Sequence, residues 1–123
     1  MNKKDVIQHL LEFLEEELAE KPDQRTELES LLTMYRFLPS REYLPHEPII
    51  PSSLVSLQIG SATTHTFIVP RGGGFITTVD GKPLQVLTPQ SPLGEALLGK
   101  KTGDRVQVEI RGQMREYLII SSV

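Results

Sequence analysis

The sequence predicts an α+β chain. An antiparallel helical hairpin covers residues 1–38, a proline-rich linker covers 39–53, and an antiparallel sheet carrying one short helix covers 54–123. Three observations predict this. Apolar residues recur at helical spacing through the first third. Pro39, Pro45, Pro48 and Pro51 then crowd a short stretch that can be neither helix interior nor central strand. From Leu54 onward the apolar period becomes two, interrupted once by a capped helical segment starting at Ser91.

The first helix is expected over residues 3–20. Ile7, Leu10, Leu11, Leu14 and Leu18 form its stripe, widened by Val6 and Phe13. Asn2 suits the N-cap, and Asp5 lies in the first turn, where the helix dipole favours a negative charge. Lys21-Pro22-Asp23 breaks the pattern. A second helix is expected over 24–38, with Leu28, Leu31, Leu32, Tyr35 and Leu38 on one side, and Thr26 and Glu29 at capping-box spacing. So short a connection makes the pair antiparallel, about 27 Å long from 18 residues at ~1.5 Å rise. The linker reads as extended chain with Tyr43, Leu44, Ile49 and Ile50 as apolar pegs.

About five strands follow. Val55, Leu57 and Ile59 alternate, Gly60-Ser61 turns, and Thr64, Thr66 and Ile68 answer. Pro70 to Gly74 interrupts. Phe75–Val79, the hairpin turn Asp80-Gly81, and Leu84–Leu87 form the next pair. Val106, Val108 and Ile110 alternate strictly, Arg111-Gly112-Gln113 turns, and Met114–Ser121 closes the sheet. Between these pairs, Ser91 is placed to cap a helix, with Pro92 at its first position. Leu93, Ala96, Leu97 and Leu98 give its apolar face. Gly99 is a left-handed stop, followed by Lys100 and Lys101 at the negative end of the helix.

Composition excludes several functions. No cysteine is present, so there is no disulfide framework, thiolate metal site or cysteine nucleophile. Residues 1–36 hold five basic and nine acidic residues, a net of −4, and the remainder is near neutral at +1. An acidic first third does not suit phosphate attachment, so no direct sequence-specific nucleic-acid contact is expected. The N-terminus has neither a signal-peptide nor a spanning pattern, so no membrane contact and a cytoplasmic setting are expected. His9, His46 and His65 lack metal-ligand spacing, and no nucleophile elbow occurs. The Gly72–Gly74 run lacks the Lys-Ser/Thr of a phosphate loop. Catalytic residues, metal and cofactor are therefore each expected to be none, and the chain is not expected to be an enzyme. Glu16, Glu17, Glu20, Asp23 and Glu27 gather acidic charge at the hairpin tip.

The run from Thr88 to Asp104, containing Ser91-Pro92-Leu93-Gly94, then Ala96-Leu97-Leu98-Gly99-Lys100 and Gly103-Asp104, resembles the C-terminal domain of the Gre transcript-cleavage factors and their relative Rnk. The similarity reaches back to Ile76 and on to the C-terminus. Tyr35-Arg36-Phe37-Leu38-Pro39 also resembles the end of the second helix in a bacterial subgroup of Gre-like proteins. The resemblance implies an FKBP-like sheet domain that docks at the RNA polymerase secondary-channel rim. Gln90, Ser91, Pro92 and Leu93 match its docking region. In cleaving members a longer coiled coil carries a tip aspartate three residues before a glutamate and helps to place a metal ion. Here Asp23 is followed at that spacing by Thr26, while Glu20 and Asp23 have the reverse order. The resemblance thus implies a polymerase-binding elongation regulator of the GreA/GreB/Rnk type without transcript-cleavage stimulation, present as a monomer or weak dimer. Two alternatives stand beside it: a protein-interaction module self-associating through the hairpin at Val6 and Phe13, and a prolyl isomerase on the same sheet.

Overall fold

Asn2 opens the first helix as its sequence implies. In the computed structural model, which describes residues 1–123, its side-chain Oδ1 accepts the Asp5 N–H at 2.8 Å. The chain divides into two units, Met1–Ser40 and Arg41–Val123.

In the first unit, α1 runs Lys3–Glu20 and buries Val6, Ile7, Leu10 and Leu14. Val6 is fully buried and Phe13 half-buried, so the proposed self-association stripe loses its main apolar contribution. The helix ends as the Lys21 N–H bonds the Glu17 carbonyl at 2.8 Å, and Pro22–Gln24 forms one 3-10 turn. The second helix, α2, runs Arg25–Arg36 and buries Leu28, Leu31, Leu32 and Tyr35. Thr26 does not cap it. Its N-cap is Gln24, without a side-chain bond, and Glu29 accepts from Arg25 Nε at 2.8 Å. The helix also stops short of Leu38. Phe37 and Leu38 close with tighter bonds to Met34 and Tyr35, since Pro39 disfavours helical backbone before it. Arg36 lies 3.9 Å from Glu15, an exposed pair of little energetic weight.

The second unit holds six strands, one more than the five or so expected: β1 Leu54–Ile59, β2 Ala62–Ile68, β3 Phe75–Val79, β4 Lys82–Leu87, β5 Arg105–Ile110 and β6 Gln113–Ser122. The one short helix, α3, runs Pro92–Leu97 between β4 and β5. The sheet order is β3-β4-β2-β1-β6-β5. Every neighbouring pair is antiparallel except β2 and β4, which run parallel. That exception follows from the β3–β4 hairpin folding its second strand, not its first, against β2. Pro83 fits in β4 because the ladder with β2 begins one residue later, at Leu84. The register of β1 on β6 shifts between Ser56 and Leu57, so that Ser56 faces Ser121 while Leu57 faces Ile119. The unpaired Ile120 bulges to the outside, 43% exposed, and Tyr117 and Ile119 stay in the core. Leu93 and Leu97 seat α3 on a core that includes Leu57, Leu87, Val106 and Val108.

The segment 41–53 is extended, but it is held in the second unit by specific bonds. Ile49 is fully buried; its N–H donates to the Lys100 carbonyl and its own carbonyl accepts from Gly99, both at 2.8 Å. The Ser52 N–H donates to the Ile68 carbonyl at 2.7 Å, and the Tyr43 and Ser52 hydroxyls lie 2.6 Å apart. Arg41 holds Glu47 by two bonds at 3.1 and 3.2 Å, and Glu47 also accepts the Leu44 N–H at 3.0 Å. The Arg41 bonds, followed by the Leu44 N–H, bring the Glu47 carboxyl down to about 2. A depressed carboxylate contributes stability that is fully present above its ordinary value, near 4.5, and is lost as pH falls toward 2. The slope of the thermal midpoint between pH 4.5 and pH 2 is therefore expected to flatten in Glu47→Gln, as read by circular dichroism. An unchanged slope would remove this segment from the acid response.

Candidate functional site

The turn between β4 and α3 is built around one hydroxyl. Ser91 Oγ donates to the Thr88 carbonyl at 2.8 Å and accepts the Gly94 N–H at 3.1 Å. The same Thr88 carbonyl accepts the Ser91 N–H, and the Ser91 carbonyl accepts the Glu95 N–H. Pro92 occupies the first helical position, where no donor is needed. The bonds close the turn so tightly that Gly94 has no room for a side chain. A Cβ there would stand 2.1 Å from the Thr88 oxygen and 2.7 Å from Ser91 Oγ.

This geometry sorts the four expected docking residues. Gln90 and Pro92 are exposed and Ser91 is half-buried, its hydroxyl committed to the cap. Leu93 is only 5% exposed and packs in the core, so its contribution to a surface is through the backbone it fixes. Glu95, which has no role in the sequence pattern, is exposed one turn further on. The exposed ridge is thus Gln90, Pro92 and Glu95. At its far end Gly99 adopts the expected left-handed backbone, with φ 80°. Its N–H, however, donates to Ile49 and not back into the helix. The Asp104 carboxylate accepts the Lys101 N–H at 2.9 Å, fixing the next turn.

The acidic residues lie apart from this ridge in sequence and in unit. Glu20 ends α1, Asp23 sits in the 3-10 turn and Glu27 lies in the first turn of α2, all exposed. Lys21 Nζ pairs with Glu17 at 2.7 Å, and that bond raises the lysine above its ordinary range. No group of three or more His, Cys, Asp or Glu side chains is arranged to hold a metal ion. The three histidines stay separate. His65 is half-buried in β2, with Nδ1 3.0 Å from Ser56 Oγ, and is lowered by burial and then by Lys82. The Gly72–Gly74 run packs as a close turn. A Cβ on Gly73 would meet the Leu87 carbonyl carbon at 2.9 Å, and the Gly74 N–H donates to Val86. A hollow of about 560 Å³ is lined by Thr63, Thr64, His65, Ile76, Lys82 and Pro83, with Gln85. Neither Phe67 nor Phe75 lines it, so it offers no phenyl wall for a proline ring. No helix is long and apolar enough to cross a membrane.

Residues 81–122 match the family described as transcription elongation factor, GreA/GreB, C-terminal. That stretch begins in the β3–β4 turn and includes the whole Ser91 turn, α3 and the last two strands. No curated protein matches the chain. Among solved structures it is similar to the transcription factor Gfh1, at 18% identity and a TM-score of 0.53, covering 98% of this chain and 85% of that one. It is similar also to Gfh1 of Thermus aquaticus, at 16% identity and a TM-score of 0.50, covering 99% and 96%. A GreA/GreB factor from Nitrosomonas europaea matches at 21% identity and a TM-score of 0.48, covering 92% and 93%. At such identities the likeness to Gfh1 speaks for the fold alone. Within the second unit, residues 81–122 thus match the C-terminal domain of the GreA/GreB transcription elongation factors.

Proposed function

We propose that this protein is a transcription elongation regulator that docks at the secondary-channel rim of RNA polymerase without stimulating transcript cleavage. The observation that carries the docking half is the Ser91 turn inside the matched family stretch. Its bonds set Gln90 and Pro92 outward on a rigid backbone, the arrangement a protein contact needs if little ordering is to be lost on binding. Glu95 extends the same ridge. Ser91 and Leu93 support it from within.

The tip of the hairpin supports the non-cleaving half. Its bend contains no aspartate followed three residues later by glutamate, and its carboxylates are spread over the end of α1, the 3-10 turn and the start of α2. An α1 of 18 residues reaches about 27 Å at ~1.5 Å per residue. In this reading the exposed acidic tip acts at the channel as charge, competing with or repelling phosphate-bearing ligands. Occupying the docking site also excludes a cleavage factor by mass action. A stalled elongation complex supplied with this protein is expected to cleave its transcript no faster than the complex alone. An added cleavage factor is expected to slow as the protein is titrated in. Stimulated cleavage would overturn the non-cleaving reading.

A further inference from the structure

The two edges of the six-stranded sheet are unlike. The β5 edge exposes Arg105, Gln107 and Glu109. Charges of this kind keep a free edge from pairing with another chain. The β3 edge, Phe75-Ile76-Thr77-Thr78-Val79, has no charge, no proline and a high β-branched content, with Ile76 70% exposed.

The hairpin fixes which backbone groups of β3 face outward. Asp80 and Gly81, with φ of 53° and 74°, make a two-residue turn closed by Val79 opposite Lys82. In an antiparallel ladder bonded and non-bonded pairs alternate from that closing pair. Thr77 opposite Leu84 and Phe75 opposite Val86 are then the bonded pairs. Ile76 and Thr78 direct their N–H and carbonyl groups away from β4. Pro83, which has no N–H, stands opposite Thr78, where none is required.

We propose that the β3 edge is a self-pairing surface, and that its partner is β3 of a second copy of this chain. A two-fold axis through Thr77 sets Ile76 opposite Thr78 of the second copy, and Thr78 opposite its Ile76. Both outward residues of each strand then exchange backbone bonds with their opposites. The pairing meets no like charge within the strand. It also brings the exposed Ile76 and Pro83 faces of the two copies into one apolar band. A single five-residue edge buries far less than the ~1,200 Å² of stable complexes, so the dimer is weak, with a Kd on the order of 0.1–1 mM. The β3 edge is distinct from the Gln90–Glu95 ridge, and this inference does not rest on polymerase docking.

Sedimentation of the full chain from about 10 µM to about 1 mM, a range spanning that weak affinity, is the test. The weight-average mass is expected to rise toward twice the monomer. Ile76→Lys, at an exposed position, is expected to stay monomeric throughout with an unchanged circular dichroism spectrum. Thr78→Pro removes an outward donor and is expected to do the same. A wild-type chain that stays monomeric across the range would overturn the proposal. So would self-association of Ile76→Lys at the wild-type strength, which would place the contact elsewhere.

Discussion

Gly94→Ala is expected to cost the second unit roughly 3 kcal/mol or more, the range in which added atoms force backbone movement. The added methyl would stand 2.1 Å from the Thr88 carbonyl oxygen, and that oxygen cannot step aside cheaply. It already accepts both the N–H and the hydroxyl of Ser91. Relief would open the cap, unseat Leu93 and release the ridge at Gln90 and Pro92 together. For a unit of this size the thermal midpoint should fall on the order of 15 °C. Gly60→Ala is the matching control. Nothing lies within 4 Å of its Cβ position, and its φ of 57° leaves only backbone strain, about 1 kcal/mol. Equal losses for the two variants would mean that the Ser91 turn is not the tight element described.

Leu97→Ala should be comparably damaging. Leu97 is fully buried and lies with Val106 and Val108 in the core that seats α3. Truncation removes transfer free energy and leaves a void that a sheet on one side cannot fill, a loss of about 2–5 kcal/mol. Leu97→Met keeps the volume and should cost less than about 1.5 kcal/mol. Urea denaturation separates them: the midpoint should fall sharply for alanine and slightly for methionine, with the slope unchanged. Near-equal midpoints for the two would show that the helix is not anchored through this side chain.

The fold is most legible in the sequence where the physics is local. Asn2 and Ser91 cap helices as read, because an N-cap depends on one side chain and a donor three residues away. The alternation of Val106 and Val108 gave β5 for the same reason. What the sequence does not show depends on partners far along the chain. The bonds of Ile49 to Gly99 and Lys100 leave no trace near Ile49, so 39–53 read as linker although 41–53 lies in the second unit. Parallel pairing of β2 with β4 is likewise a matter of topology. Thr26 met the spacing rule for a capping box, but Arg25 took its Glu29 partner.

The proposed docking site is legible as a stretch and not as a surface. Gln90 and Pro92 are where a partner could touch, whereas Leu93 is apolar and capped into place, which in a short helix on a sheet means core. Gly94 carried a usable signal that went unread. A glycine in the first turn of a helix is a poor helix former, and its presence there marks a close approach.

The most direct test is an equilibrium titration of the labelled full chain with RNA polymerase, for the wild type and for Pro92→Asp, each with and without an excess of a Gre cleavage factor. Pro92 is exposed, so the variant is expected to keep its thermal midpoint within a few degrees. Saturable wild-type binding that the cleavage factor displaces is expected, weakened about 30-fold or more by Pro92→Asp, the scale of an interface hot spot of about 2 kcal/mol. Wild-type binding that neither the competitor nor the substitution alters, or no binding at all, would contradict docking through the Ser91 turn.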